Sequence, residues 1–243
     1  MDPAGKVALV TGGARRVGRA LSLALGSAGA DVVVNYNTSA AEAADLVREL
    51  ERMGRRALAL QADVSRRADV HRLIEHVRTE FNRLDILVNS ASSFESAPFL
   101  EIEESDWDRV LAVNLKGPFL MMQAGAPLMR AQPPAIIVNL ADLSAFQPWP
   151  SYAHHAVSKA GLVQLTRVAA RALAPAIRVN CIAPGTVLPP EGYTGMGSDG
   201  TSDRRLVSPA GQPDDVARAL LFLVQSEFMT GQTVVVDGGR LLL

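Results

Sequence analysis

The stretch VALVTGGARRVGRAL, residues 7–21, runs from an apolar β-branched segment through a glycine-rich turn into a helical pattern. A glycine turn after a strand lets backbone N–H groups approach a pyrophosphate, and the N-terminus of the following helix stabilises the phosphate charge. An ordinary tight turn would also use glycine. Because this turn opens a long series of alternating strand and helix patterns, we interpret it as a nucleotide-binding turn.

Seven short apolar runs predict strands, at 6–11, 31–36, 55–60, 85–90, 135–140, 177–182 and 233–238. Most are continuous instead of alternating, which is typical of strands covered on both faces. Amphipathic runs between them predict helices near 17–28, 39–53, 66–80, 105–130, 153–173 and 213–226. The clearest has Ser39 as a candidate N-cap, Glu42 three residues later and Gly54 at its end. This alternation predicts one α/β domain over residues 1–243, a parallel sheet with helices on both faces.

One segment interrupts the alternation. PPEGYTGMGSDGTSDRR, residues 189–205, is rich in glycine, serine and proline and follows the sixth predicted strand. Parallel sheets bind ligands at the carboxyl ends of their strands, and long loops in compact domains are often functional. We therefore predict a substrate lid at about 186–208.

Composition excludes several classes of protein. The chain has 243 residues, a net charge of −1 and no long apolar run, so we expect neither nucleic-acid nor membrane binding. Cys181 is the single cysteine and no secretory signal is visible, which favours a cytoplasmic location. His154 and His155 are adjacent, so they diverge by about 100° on a helix, and no metal site is predicted.

The end of the second predicted strand indicates which nicotinamide cofactor the turn binds. NAD sites usually place a carboxylate there, which binds the ribose hydroxyls and repels a 2′-phosphate. Here the strand ends in NYNTS, without an acid. Asn37, Thr38 and Ser39 can donate hydrogen bonds to a phosphate, and Arg15 and Arg16 add positive charge. The alternative for the arginines is a solvated surface pair. We predict NADPH.

Thr11, Gly12 and Gly18 fit the T-G-x-x-x-G-x-G turn of the short-chain dehydrogenase/reductase family, with Arg16 at the middle glycine. The segments QADV, LVNSAS, NLKG, SKAGL, RVNCIAPG and TGQTVVVDGG are also typical of that family, so the resemblance covers the chain. It implies a Rossmann-like, doubly wound sheet of order 3-2-1-4-5-6-7. It also implies cofactor contacts from Thr11, Gly12, Arg15, Arg16, Val17, Gly18, Asn35, Tyr36, Asn37, Thr38, Ser39, Asp63, Val64, Asn89, Ser90, Ala91, Leu140, Lys159, Pro184, Gly185, Thr186 and Val187.

The arginine variant of the turn resembles the pteridine reductase branch of the family. NSASSFESAPFL, residues 89–100, is similar to that branch's substrate segment, which implies that Ser92 contacts a pterin and Phe94 stacks on it. Such stacking adds about 0.5–1.5 kcal/mol beyond burial. A core position is the alternative for Phe94. The resemblance also includes Arg16 and Gly185 among the substrate contacts.

Asp142 stands thirteen residues before His155, where most of the family carries a hydroxyl residue that binds a ketone oxygen. Pteridine reductases resemble this chain in having aspartate there, which suits a ring C=N because a carboxyl group can relay a proton to nitrogen. The alternative is a helix cap or a loop acid after the fifth strand.

The stretch PSYAHHAVSKAGL, residues 150–162, lacks the tyrosine that the family places four residues before its lysine. His155 stands there, on the same helix face as Lys159. Tyr152 lies at the expected start of the helix. Asn114 matches the asparagine of the four residues that form the family's catalytic tetrad. Tyrosine and histidine ordinarily have pKa values of about 10 and 6.5, and a neutral imidazole is a poor acid. Our hypothesis is that Asp142, with or without water, supplies the proton, while Lys159 holds the cofactor and His155 tunes the site.

Three functions stay open. The main expectation is an NADPH-dependent reductase of a pterin-type small molecule. The second is a carbonyl reductase acting on a substrate such as a 3-oxoacyl thioester. The third is a catalytically weak NADPH-binding protein, because the tyrosine is missing. The resemblance also implies a homotetramer built from the helices near 105–130 and 153–173, and the three leucines that end the chain favour burial against a neighbour.

Overall fold

Seven parallel strands form one sheet in the order β3-β2-β1-β4-β5-β6-β7 in a computed structural model that describes residues 1–188 and 205–243. The strands are β1 Val7–Thr11, β2 Asp31–Tyr36, β3 Ala57–Gln61, β4 Ile86–Asn89, β5 Ala135–Leu140, β6 Ile177–Pro184 and β7 Thr233–Val236. This confirms the predicted strand order. Strands β1 and β4 are adjacent although β2 and β3 intervene in sequence, and the crossover opens a crevice between their carboxyl ends.

Helices cover both faces of the sheet. They are α1 Arg16–Ser27, α2 Ala40–Arg52, α3 Arg67–Phe81, α4 Glu104–Leu111, α5 Gly117–Arg130, α6 Ala153–Leu173 and α7 Pro213–Gln225. Helices α1, α2 and α7 pack on one face, whereas α3, α5 and α6 pack on the other. Strands β1, β4 and β5 are buried along their whole length, as their continuous apolar runs predict.

The predicted helix over 105–130 is wrong in one respect, because it is two helices. A π-helical turn, Ala112–Lys116, separates α4 from α5. Pro118 has no N–H to donate to the carbonyl of Asn114, so a regular α-helical pattern cannot run through this point. The turn carries Asn114 into the interior, where its side chain is 1% exposed.

The start of α2 also differs from its prediction. Among the described residues, the Ser39 side chain makes no N-cap hydrogen bond, and its backbone carbonyl accepts one from Ala43 instead. At the other end, Gly54 adopts a left-handed conformation with φ +75°, as predicted for a terminating glycine.

Most of the predicted lid, 186–208, lies outside the described residues, since 189–204 are not described. Within the described residues, none of the helices has the length and apolar character that crossing a membrane requires.

Candidate active site

The glycine-rich turn is held against the carboxyl end of β4. The Thr11 hydroxyl oxygen accepts hydrogen bonds from the backbone N–H groups of Ser90 and Ala91, at 3.0 and 3.1 Å. Gly12 has φ +59°, and a Cβ there would lie 2.9 Å from the Ala91 Cα. A Cβ on Gly18 would lie 2.2 Å from the Gly12 carbonyl oxygen. This cradle is closed to side chains, which is what close approach of a pyrophosphate to backbone N–H groups requires.

Arg16 occupies a strained position at the start of α1. Its φ is +51°, in the left-handed region where glycine is favoured, and this explains why the family's usual residue is glycine. Its guanidinium donates a hydrogen bond to the Leu188 carbonyl, at 3.1 Å, across the mouth of the crevice. Arg15 lies 3.7 Å from the Glu42 carboxylate.

The corner after β2 separates the predicted cofactor residues into two groups. Asn37 and Thr38 are exposed, and Tyr36 and Ser39 are partly exposed. The Asn35 side chain is buried and donates to three main-chain carbonyls at 3.1–3.3 Å, so it joins the ends of β2 and β3. The Asn35 side chain is therefore not available for a direct contact with the cofactor.

Asp63 and Val64 follow β3 at the same edge of the sheet. The Asp63 carboxylate accepts hydrogen bonds from the backbone N–H and the hydroxyl of Ser65, at 2.9 and 2.7 Å. This carboxylate therefore stabilises a turn at the carboxyl edge of the sheet.

Asn89 belongs to a buried chain of hydrogen bonds inside the sheet. Its amide donates to Asn139 at 2.8 Å, and Asn139 donates to the Thr166 hydroxyl at 2.9 Å. The Asn89 Oδ1 atom has no hydrogen-bond partner among the described residues. Asn89 thus ties β4 to β5 and α6, while the following residues Ser90 and Ala91 face the glycine turn.

The predicted cofactor residues after β6 contact the C-terminal segment. The Arg240 guanidinium donates to the Thr186 hydroxyl at 2.7 Å. A Cβ on Gly185 would lie 2.9 Å from the Asp237 Cα, so this position excludes side chains. Pro184 ends β6 and Val187 is buried, which places the whole group at the carboxyl edge of the sheet.

Asp142 and His155 form a direct pair at the centre of the site. The His155 Nε2 atom lies 2.6 Å from the Asp142 Oδ2 atom. The other carboxylate oxygen, Oδ1, accepts from the backbone N–H and the hydroxyl of Ser144. Asp142 therefore does cap a short 3₁₀ turn, Leu143–Ala145, and it is also part of the site.

The protonation of this pair follows from its neighbours. The Ser93 carbonyl oxygen lies 3.1 Å from His155 Nδ1, and a carbonyl can only accept, so Nδ1 carries a hydrogen. The Asn114 Nδ2 atom carries two hydrogens and has three acceptors nearby. It lies closer to the Ser93 carbonyl and the Ser158 hydroxyl, at 2.9 and 3.1 Å, than to His155 Nδ1, at 3.2 Å, so its two hydrogens are used without Nδ1. The Nε2–Oδ2 contact then also contains one proton, which either partner can hold.

Charge near the pair favours an ionised carboxylate. Burial raises the pKa of Asp142, but the His155 hydrogen bond and the Lys159 and His155 charges lower it more, to about 2. Burial lowers the pKa of Lys159, and the Asp142 carboxylate opposes that shift. The Lys159 ammonium donates to the Leu140 carbonyl at 2.9 Å. The Asp142 carboxylate is therefore ionised at neutral pH, and it accepts a hydrogen bond from His155 Nε2.

Exposure decides which member of the pair meets a substrate. The His155 side chain is 1% exposed, whereas the Asp142 side chain is 22% exposed. A ligand in the crevice can therefore touch the Asp142 carboxyl, with His155 behind it. The pair can deliver one proton through Asp142.

Aromatic side chains line the mouth of the site. Phe94 is 45% exposed, so it is not a core residue. Its ring stacks on Tyr152 at 4.6 Å and meets the edge of His155 at 4.8 Å. Tyr152 ends a 3₁₀ turn, Pro150–Tyr152, that leads into α6, and its ring meets Trp149 at 6.1 Å. The Ser92 hydroxyl lies beside them and donates to Asn114 Oδ1 at 3.2 Å.

Sequence reasoning identified Asp142 and His155 but missed their direct bond and several supporting residues. The bond could have been anticipated, because both residues stand at positions of the family's catalytic tetrad, whose side chains face the same ligand. Ser93, Ser144, Ser158, Glu95 and Arg109 could not be identified from the sequence, because their roles depend on contacts that only the folded chain brings together. Trp149 was also missed.

Comparison with known proteins identifies the class to which this fold and site belong. A family model described as Enoyl-(Acyl carrier protein) reductase matches residues 12–240. The chain belongs to the short-chain dehydrogenase/reductase family.

Two named proteins are similar to this chain over nearly its whole length. A 3-oxoacyl-(acyl-carrier-protein) reductase of Staphylococcus epidermidis is 35% identical over 241 residues, covering 96% of this chain and 98% of that protein. A protein of the same name from Synechocystis is 35% identical over 245 residues, covering 98% and 97%. These names agree with the carbonyl-reductase alternative better than with the pterin expectation.

Solved structures show the same fold. A dehydrogenase/reductase from Sinorhizobium meliloti 1021 has a TM-score of 0.91 at 34% identity, covering 97% of this chain and 95% of that one. A blue fluorescent protein from a metagenomic library, solved in complex with NADPH, has a TM-score of 0.90 at 31% identity, covering 98% and 99%.

Proposed function

We propose that this protein is an NADPH-dependent reductase of a small-molecule carbonyl compound, with 3-oxoacyl thioesters as the first substrate class. When bound, the cofactor supplies a hydride. The glycine cradle fits its pyrophosphate, and the acid-free corner at Asn37 and Thr38 fits a 2′-phosphate. The observation that carries the proposal is the Asp142–His155 pair beside Lys159, in a chain one-third identical to named 3-oxoacyl reductases.

The pair accounts for the proton that reduction requires. As a hydride reaches the carbonyl carbon, negative charge develops on oxygen. The proton held between Nε2 and Oδ2 passes through the Asp142 carboxyl to that oxygen. Lys159 stabilises the carboxylate before and after the transfer. Water then returns a proton to the pair.

A dihydropterin is the second candidate, and a specific observation favours it. An ionised carboxylate can accept a hydrogen bond from the ring N–H and amino groups of a pterin, whereas the carbonyl groups of a 3-oxoacyl chain offer no donor. The exposed Phe94 ring beside His155 offers a face for a flat heterocycle. Both features suit a nitrogen ring better than an acyl chain.

A parallel assay separates these substrates. Purified protein with NADPH is given acetoacetyl-CoA, dihydrobiopterin or dihydrofolate, and the loss of absorbance at the reduced nicotinamide band is followed. Turnover of acetoacetyl-CoA well above both pterins supports the first proposal, and the reverse order supports the second. NADPH binding without consumption in any arm would reject both and leave the weak NADPH-binding protein.

Replacing Arg16 with glycine is expected to stabilise the fold and weaken cofactor selection. Glycine relieves a left-handed φ that costs about 1 kcal/mol, which corresponds to a rise in Tm of roughly 2–4 °C. Loss of the guanidinium should raise the Kd for NADPH and leave the Kd for NADH unchanged. Calorimetry and fluorescence titration with both cofactors measure these effects.

Arg15→Gly is the matched control for that variant. Arg15 has an extended backbone, φ −134°, so glycine relieves no strain there and Tm should not rise. An equal rise in Tm for both variants would contradict the strain argument. An equal loss of NADPH and NADH binding in Arg16→Gly would contradict the role in selection.

We also propose a homotetramer, formed through α5 and α6. Phe119 on α5 and Val168 on α6 are 42% and 55% exposed in the single chain, and Leu242 at the C-terminus is 80% exposed. A neighbouring copy would remove these apolar groups from water. Sedimentation equilibrium gives the mass directly.

A further inference from the structure

The proton-donating pair depends on a loop that has no regular structure of its own. Residues 90–98 run as irregular chain between β4 and the next helical turn. Ser93, in the middle of this loop, places its carbonyl oxygen against His155 Nδ1. The position of that carbonyl is therefore set by side-chain contacts.

Two contacts hold the backbone of Ser93 on its inner side. Its N–H donates to Asn114 Oδ1 at 2.7 Å, and its carbonyl accepts from Asn114 Nδ2 at 2.9 Å. The Asn114 side chain is 1% exposed and fixed by the π-helical turn. These bonds orient the carbonyl but leave the outer side of the loop facing solvent.

An ion pair holds the outer side. The Ser93 hydroxyl donates to the Glu95 carboxylate at 2.5 Å. That carboxylate is bound through both oxygens by the Arg109 guanidinium, which α4 carries and which also donates to Asp106 at 2.7 Å. The Arg109 and Ser93 hydrogen bonds lower the pKa of Glu95 to about 2, so the carboxylate stays charged across the physiological range.

We propose that Arg109 and Glu95 are positioning residues that hold the Ser93 carbonyl against His155 and so keep a hydrogen on its Nδ1 atom. Without this support the carbonyl can move away, and Asn114, already 3.2 Å from Nδ1, can donate to that atom instead. An Nδ1 atom that accepts carries no hydrogen. The ring hydrogen of His155 would then be on Nε2 alone.

The inference rests on the proposed role of the Asp142–His155 pair, but it has a readout that needs no substrate. The four histidines are labelled with ¹⁵N, and His155 is assigned by comparison with His155→Ala. The ¹⁵N shifts of Nδ1 and Nε2 report which atoms carry hydrogen. The spectra are recorded for the parent protein, Arg109→Ala, Glu95→Ala and Arg109→Lys.

The matched control is Arg78→Ala. Arg78 also forms an exposed ion pair with a glutamate, Glu75, but on α3, away from the site. The parent and this control should show hydrogen on His155 Nδ1. Arg109→Ala and Glu95→Ala should lose the Nδ1 hydrogen, and Arg109→Lys should retain most of it.

Kinetics on the substrate found active give a second readout. In Arg109→Ala we expect kcat to fall about 10-fold or more with an unchanged KM for NADPH, since a small displacement of a proton donor is costly. Parent-like shifts and kcat in both alanine variants would overturn the inference. A parent protein that shows the Nδ1 hydrogen but reduces none of the substrates would reject the proposed function alone.

Discussion

Replacing Asp142 with alanine is expected to lower kcat by about 10²–10⁴-fold, the usual contribution of a positioned proton donor. Asp142 is the member of the pair that a ligand can touch, because its side chain is 22% exposed and that of His155 is 1% exposed. Removing it leaves the buried His155 without a route for its proton to the substrate. Binding of NADPH should persist, and stopped-flow measurement of hydride transfer separates the two effects.

His155→Ala is expected to keep measurable turnover. The carboxyl remains in place, and its pKa rises because the His155 hydrogen bond and charge both contribute to lowering it to about 2. A higher pKa lets the carboxyl take a proton from water, so residual kcat should increase as the pH falls. Equal and total loss in Asp142→Ala and His155→Ala would contradict this division of roles.

A surface variant controls for the loss of a carboxylate in general. Asp45 on α2 forms an exposed ion pair with Arg48 and is not among the predicted cofactor or substrate residues. Asp45→Ala should leave kcat unchanged. A fall in kcat comparable to that of Asp142→Ala would mean that the assay reports stability and not proton transfer.

The sheet could be predicted from the sequence because buried parallel strands need continuous apolar runs, and this chain has seven. The bounds of α6, Ala153–Leu173, agree with the predicted 153–173, because two preceding prolines mark where the helical pattern can begin. The break at the π-helical turn was missed although Pro118 marked it. The amphipathic pattern continues on both sides of this proline, so periodicity alone does not show the break.

The site could be predicted only where one residue type determines the chemistry. Asp142 and His155 were found because each departs from a known pattern at a fixed spacing. The Ser93 carbonyl could not be found that way, since every residue has a carbonyl and its position depends on the path of the loop. The same holds for Glu95 and Arg109, which meet across a separation of 14 residues.

Gly18→Ala is the second variant with a large expected effect. It should lower the stability of the fold, whereas alanine in place of an ordinary helical glycine raises it. Alanine is favoured over glycine inside helices by about 1 kcal/mol. At Gly18, however, the new Cβ would lie 2.2 Å from the Gly12 carbonyl oxygen, a backbone atom that cannot turn aside. The turn must shift, and overpacking of this kind costs about 1–3 kcal/mol, or roughly 3–10 °C in Tm.

Gly125→Ala separates the clash from the substitution itself. Gly125 is also a buried glycine in a helix, α5, but its Cβ would meet the nearest atom, on Leu84, at an ordinary 3.5 Å. Its Tm should rise or stay the same, and NADPH affinity should not change. Because Gly18 supports the turn that approaches the pyrophosphate, Gly18→Ala should lose NADPH affinity as well as stability. Calorimetry and NADPH titration on both variants check this, and retention of parent affinity in Gly18→Ala would mean that the cofactor binds elsewhere on the sheet edge.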